Sequence, residues 1–363
     1  MAPDGSTTLT TLRTVRYDAL GAEELDAWHA IRAADPRLDS PCFHPEFAAA
    51  VHATGNEVLV AVGRDAAGRV RGLLPHHRER SLIRPVGWPG ADFQGPIAEP
   101  GFAFPVAGLL AGGVRQYAFD HLRDGLAGLE EFEPWVESRM VSPYVDTTGG
   151  LDGYLGRASR SGKDKMAEAR RGTNKAGREL GPVRFEAQAV DEESLARVID
   201  RKREQYAATG VRDYFAMPGR RELITRLLHT SGPGFSGMLS TVHAGPHLLA
   251  AHFGMRSGGV LHWWFPVYDP AFGTLSPGWI LLREVLAAAP ELGLTRIDLG
   301  RGDDDYKRRA KTGEYTVSQG MVTKGATGRL VRRAGLAVQA AVKRSPLAPA
   351  LRRAVRSLRS ISR

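Results

Sequence analysis

One cysteine in 363 residues, Cys42, excludes an intramolecular disulfide and suits a reducing compartment. As a small buried hydrophobe it needs no chemical role. No run approaches the ~18 apolar residues of a membrane span. The first residues, MAPDGSTTLTTLR, lack the basic-then-apolar order of a signal peptide, so the cytoplasm is the expected compartment. Nucleotide and hydrolase signatures are missing too: there is no P-loop and no Gly-x-Ser-x-Gly elbow. His243, His247, His252 and His262 have no Cys or carboxylate companions at ligand spacing, so no metal is expected.

What is present is an ordinary globular composition, 42% hydrophobic and 25% charged, in a chain long enough for two cores. The net charge of +9 is unevenly placed. From Lys324 onward there are 11 Lys or Arg and no acid, which leaves the first 323 residues at +9 less +11, or −2. A second basic cluster, Arg157 to Arg178, sets 8 basic residues against Asp164 and Glu168. The high pI therefore describes two local features rather than a nucleic-acid-binding fold. After Pro346, Leu347, Leu351, Val355 and Leu358 share one helical face and Arg352, Arg356, Arg359 and Arg363 another. Such a helix suits an anionic membrane surface, or forms a solvated tail.

The most informative stretch runs from Leu261 to Arg309. An aromatic strand is followed by Ser276-Pro277-Gly278, a helix start with a hydroxyl placed to cap and proline in the first turn. Apolar Ile280, Leu281, Val285 and Leu286 continue at helical spacing. A short strand, Leu294 to Leu299, ends at Gly300-Arg301-Gly302. A helix N-terminus facing splayed strand ends offers free N–H groups and a positive dipole to a diphosphate.

Elsewhere the pattern gives a strand at 12–17, helices at 23–34 and 43–53, and a hairpin over 57–63 and 70–75. An irregular Gly- and Pro-rich segment at 84–104 follows, then helices at 108–127 and 151–180, the second broken near Ser161-Gly162. A strand at 183–189, helices at 191–208 and 218–230, and three strands across 235–267 come next. A helix at 278–289, the strand at 294–299, a helix at 303–310 and a strand at 314–323 close the chain. Two αβ units of similar order make this an α/β protein of tandem units. Their bounds are 1–150 and 151–323, with the basic tail at 324–363.

The order of motifs resembles the acyltransferase domain of CelD-type polysaccharide-biosynthesis proteins, a branch of the GNAT N-acetyltransferase superfamily related to Fem-type aminoacyl transferases. The matching residues are Ser276, Pro277, Gly278, Asp298, Gly300, Gly302, Tyr306 and Lys307. Lys202 with Gln205 and Tyr206, His252 in LLAAHFGM, and Tyr268 with Asp269 also match. In the first half SPCFHPEF, GLLPHHR and ADFQG do so, and the likeness spans roughly residues 11 to 323.

The resemblance implies tandem GNAT-like domains, each a mixed, mostly antiparallel sheet flanked by helices. It implies transfer of an acetyl or other short acyl group from CoA to an amino or hydroxyl group of a sugar or polysaccharide precursor. Ser276, Pro277, Gly278 and Trp279 would then take the diphosphate, although the usual superfamily loop is longer and richer in glycine. Carrier-protein or aminoacyl-tRNA donors are alternatives, the latter bringing nucleic acid to the basic segments. A non-catalytic membrane assembly factor is a further one.

Asp298 is a base or the orienter of a nearby Lys or Arg, and Tyr306 an acid or a packing aromatic. Arg301 and Lys307 bind phosphate or carboxylate, or are surface charges. His252 is a base or a core histidine. Asp92 and Gln94 bind the acceptor or shape their loop. Lys202, Gln205 and Tyr206, one helical turn apart, line the acceptor groove or face solvent; Tyr268 is placed with them.

Overall fold

The structure, a computed structural model, describes residues 9–232 and 234–324. The basic amphipathic segment, from residue 325 onward, lies outside the described residues. The first half contains β1 (Leu9–Arg16), α1 (Ala22–Ala34), α2 (Pro45–His52), β2 (Leu59–Asp65), β3 (Val70–Glu79), β4 (Leu82–Pro85), β5 (Ile97–Ala98), β6 (Gln116–Arg123) and β7 (Val136–Asp146). The second opens with α3 (Gly150–Arg157), α4 (Arg160–Glu179), β8 (Val183–Glu186), α5 (Glu192–Thr209) and α6 (Arg220–Leu228). It continues with β9 (Phe235–Ala244), β10 (His247–Ser257), β11 (Val260–Tyr268), α7 (Pro277–Ala288), β12 (Arg296–Asp298), α8 (Asp305–Ala310) and β13 (Gly313–Thr323).

All the strands of the described residues join one sheet, in the order β1-β2-β3-β4-β6-β13-β7-β12-β11-β10-β9-β8, with β5 on β3. From either end the sequence of events is the same. Four antiparallel strands lead to one parallel pairing, β4 with β6 at one side and β11 with β12 at the other. The final strands are exchanged between halves: β7 lies on β12, and β13 lies on β6. They also pair with each other, from Gly313↔Tyr144 to Gly320↔Val136. The exchange binds the two halves through backbone hydrogen bonds as well as side chains.

Helix α4 shows how the sequence sets the packing. The Ser159 hydroxyl accepts from the Gly162 N–H at 3.2 Å and starts the helix. Gly162, Met166, Ala169, Gly172 and Ala176 then form its buried stripe. A Cβ on Gly172 would lie 2.2 Å from Leu275 O, so glycine here permits the close approach of the turn that leads into α7. The break in this region falls at Ala158–Ser159, not at Ser161-Gly162, because Gly162 is needed inside the helix against Arg309 O.

The expected helix at 108–127 is a correction. Only a 3-10 turn at Val106–Leu109 forms, and Gln116–Arg123 is a strand. Gly112 and Gly113, both at positive φ, end the turn, and the alternating aromatic sequence QYAFDHLR fits a pleat. Strand β7, between two strand neighbours, was not anticipated either, since its outer residues Ser138, Arg139 and Met140 are exposed and polar at two of three positions.

Candidate functional site

Strands β11 and β12 pair only from Val260 to His262 and from Arg296 to Asp298. Beyond that register β12 ends while β11 runs on to Tyr268, and the two edges part. A cleft of about 550 Å³ fills the gap. Its walls are Trp263, Trp264, Pro266, Val267 and Tyr268 of β11, the start of α7, Leu299 with Asp304, Tyr306 and Lys307, and Lys202 and Gln205 of α5. Lys165 of α4 closes one side. The aromatic strand and the SPG helix start thus meet as the sequence indicated.

The geometry of the helix start differs in one respect. Ser276 adopts φ 55° and ψ 51°, and its side chain does not cap the helix. Instead its hydroxyl hydrogen-bonds the Glu168 carboxylate, which Lys165 also holds at 2.8 Å. These two bonds keep the Glu168 carboxyl below its usual range. Pro277 has no N–H, and those of Trp279 and Ile280 return to Ser276 O at 2.9 and 3.1 Å. Gly278 therefore supplies the N–H that the first turn offers outward. A Cβ there would meet nothing closer than Tyr268 Cδ1 at 3.9 Å, so the chain leaves open space beside this glycine.

Unsatisfied polar groups point to a ligand. Trp263 is 3% exposed, and its Nε1 has no hydrogen-bond partner. It faces the Tyr306 hydroxyl, also unpartnered, without the geometry of a hydrogen bond. Leaving such groups unpaired is costly, and a bound molecule offers them partners. The Tyr306 ring packs on Trp279, centroids 5.1 Å apart. Burial, with the Tyr154 phenol adding, pushes the Tyr306 phenol well up. It keeps its proton at any ordinary pH.

The cleft also carries three amines. Lys307 Nζ donates to Gly300 O at 3.1 Å and Arg301 O at 2.7 Å, and burial lowers its pKa against the pull of Asp92 and Asp304. Lys202 is less constrained, with Pro266 O at 3.5 Å and the Tyr206 ring 5.9 Å away. Burial pulls its ammonium down to about 8, Lys307 adding to the fall and Asp304 opposing it.

Other candidates lie outside the cleft. Asp298 is buried at the end of β12, and both its oxygens face Arg296, whose Nε is 2.8 Å from Oδ1. Arg296 also grips Asp39 of the first half at 2.6 and 2.7 Å. Asp298 is thus paired with an arginine, and burial pushes its carboxyl up despite that neighbour. His252 is fully buried and stacked on Trp263 at 3.9 Å, behind the cleft wall, and burial drives its pKa well down.

Gln94 is buried with its amide spent on Ala91 O, Asp120 and the backbone of His121. It shapes its loop and does not project into the groove. Asp92 comes from the same loop to lie 3.3 Å from His262 Nε2 and 3.6 Å from His121 Nδ1. Gly300 makes room for it: a Cβ there would sit 2.3 Å from Asp92 Oδ2. Arg301 is turned toward the first half, onto Asp120. Tyr206 packs against the core under α5.

Among the described residues, the corresponding place beyond the β4–β6 pairing in the first half is bridged. Gln94 bridges to Leu122 at that point, its N–H reaching His121 O at 3.0 Å while Arg123 N–H reaches Gln94 O at 3.2 Å. Sequence reasoning missed Trp263 and Trp264 as lining residues. They point to opposite faces of β11, yet both reach the cleft because it opens at the strand edge that β12 leaves free; the paired tryptophans themselves were the available signal. Among the described residues no His, Cys, Asp and Glu group is disposed to hold a metal, and no helix is long and apolar enough to cross a membrane.

Residues 163–308 match the family described as Acetyltransferase (GNAT) domain. Among solved structures, the chain is similar to FemX at 12% sequence identity, with a TM-score of 0.55 over 85% of this chain and 96% of that one. It is also similar to the C-terminal DUF2156 domain named as a lysylphosphatidylglycerol synthetase from Agrobacterium fabrum. There the identity is 13% and the TM-score 0.51, over 89% of this chain and 96% of that one. At such identities the likeness is one of fold. No curated protein matches the chain by sequence.

Proposed function

We propose that this chain, an N-acyltransferase of the GNAT type, moves an acetyl or other short acyl group from acyl-CoA to an amino group on a sugar or polysaccharide precursor. The observation that carries this reading is the cleft where β11 and β12 part, with the α7 N-terminus at one end and unpartnered Trp263 and Tyr306 within. When bound, acyl-CoA supplies an activated thioester carbonyl. GNAT domains generally use such a donor, and the residues present fit one.

Gly278 offers its N–H and open space to the diphosphate, and the positive end of the α7 dipole favours an anion there. Lys165 balances the Glu168 carboxylate beside it. Val267, Leu281 and Leu299 supply apolar walls for the pantetheine arm. Tyr306 suits the sulfur. A thiol has an ordinary pKa of ~8.5, far below that of this buried phenol, so full proton transfer from Tyr306 runs uphill. Its role is to donate a hydrogen bond that stabilises the departing thiolate. On the other side Trp264 and the half-exposed Tyr268 offer aromatic faces to a sugar ring, and Gln205 and Asp304 offer polar contacts.

The test is to incubate the protein with acetyl-CoA and a panel of amino sugars, following thiol release and the N-acetylated product by mass. Amine-dependent release supports the reading. Release no faster with any amino sugar than without would overturn the acceptor assignment.

A second reading has one observation in its favour. Arg160, Lys163, Arg170, Arg171, Lys175 and Arg178 are all exposed on α4, next to the cleft. An aminoacyl-tRNA donor would use that face. Its binding would fall by roughly 10³-fold or more between about 50 and 200 mM salt. Binding of acetyl-CoA, with none of charged tRNA even at low salt, would reject it.

A further inference from the structure

We propose that Lys202 is itself an acyl acceptor, its Nζ taking the acyl group from the donor in the cleft so that the chain carries an acyl-lysine at this position. The inference rests on the acyl-CoA reading above.

Position comes first. Lys202 projects from α5 into the cleft that holds Gly278, Trp263 and Tyr306. Its Nζ lies 3.5 Å from Pro266 O on β11, the strand that forms one lip of the opening. A thioester lying along that lip has this amine as a neighbour.

Freedom comes second. The other amines of the cleft are engaged: Lys165 on Glu168 at 2.8 Å, and Lys307 on two carbonyls, with Asp304 at 3.8 Å. Among the described residues no carboxylate comes within ion-pair distance of Lys202; a carbonyl and the Tyr206 ring are its neighbours. Neither neighbour holds the amine in its charged form as a carboxylate would.

Reactivity comes third. Only the neutral amine has a lone pair to attack with. Burial brings the Lys202 pKa to about 8, so roughly a tenth of the amine is neutral at pH 7. An ordinary lysine has on the order of a hundredfold less.

The step balances without a further reactant. The Lys202 ammonium first gives one proton to solvent. The Nζ lone pair then attacks the thioester carbonyl carbon, an N–C bond forms and the C–S bond breaks. The nitrogen's surplus proton goes to the leaving thiolate, producing free CoA thiol and an amide. The product is uncharged and bulkier than the amine. It removes one of the cleft's cations and narrows its acceptor side, so the chain would silence itself when donor is abundant and acceptor scarce.

The test uses the full chain, acetyl-CoA and no acceptor. Intact-mass and peptide-mapping measurements are expected to show a gain of ~42 Da, stoichiometric and located on Lys202. The rate should rise with pH to half its maximum near 8, where exposed lysines continue to gain. Lys202→Arg should lose this label while any slow labelling of exposed lysines persists. Calorimetry with acetyl-CoA on the same preparation separates the two claims. Binding without label on Lys202, or label spread over exposed lysines with no pH midpoint near 8, overturns this inference alone. Absence of both binding and label overturns the donor reading and this inference with it.

Discussion

At the scale of single residues, the cleft depends on groups left unpaired until a ligand arrives. Tyr306 keeps its proton because burial penalises the phenolate, and its hydroxyl faces Trp263 Nε1 without the geometry of a full hydrogen bond. Tyr306→Phe removes that donor and leaves the packing on Trp279 intact. We expect kcat to fall about 10- to 100-fold with KM little changed, since the bond matters most as charge develops on sulfur. A matching rise in KM with kcat preserved would assign Tyr306 to donor binding instead.

Much of this was legible because the SPG turn, Tyr306 and Lys307 sit in one stretch of sequence. Gln94, Arg301 and Asp298 were not separable from true lining residues. Each is a polar side chain beside a glycine or a strand end, and only the partner across space shows what it does. Asp120, which holds both Gln94 and Arg301, is itself distant from Arg301 in sequence.

At the scale of elements, the second half follows its periodicity closely. Helix α7 and the three long strands β9 to β11 form where apolar spacing placed them. The first half was harder. Its segment at 108–127 was expected as a helix, yet neighbouring strands and the positive-φ glycines Gly112, Gly113 and Gly125 decide for a strand. Tertiary pairing outweighs a weak local preference there.

The contact of α4 with the turn leading into α7 gives the matching prediction. Gly172→Ala raises intrinsic helix propensity by ~1 kcal/mol. The added Cβ, however, would lie 2.2 Å from the backbone oxygen of Leu275, which cannot swing aside as a side chain can. Net destabilisation of about 1–3 kcal/mol by denaturant unfolding is expected, with weaker donor binding as α7 is pushed off its seat. A stabilised variant would mean that α4 and the turn leading into α7 are not in the contact described.

At the scale of the whole molecule, one sheet crosses both halves, and the exchanged strands β7 and β13 interlock them. Arg296 adds a side-chain tie, joining buried Asp298 to Asp39 of the first half. Arg296→Met leaves Asp298 in the interior without its cation, at a cost of about 3–5 kcal/mol. Pairing it with Asp298→Leu should recover part of the loss, because no buried charge is then stranded. Failure of the double variant to recover any stability would assign the cost to packing. This tie was invisible in the sequence, where 257 residues separate Asp39 from Arg296.

The central claim is that the second half holds the donor at the α7 start while the loop around Gln94 seals the first. Titration of acetyl-CoA into the wild type and Gly278→Asp by calorimetry tests it most directly. A Cβ at this position meets nothing closer than 3.9 Å, so the fold should stand, but the carboxylate sets a negative charge where the diphosphate belongs. We expect one site per chain with a Kd on the order of micromolar, weakened at least tenfold by Gly278→Asp. Binding unaffected by the substitution, or two sites per chain, would contradict the account.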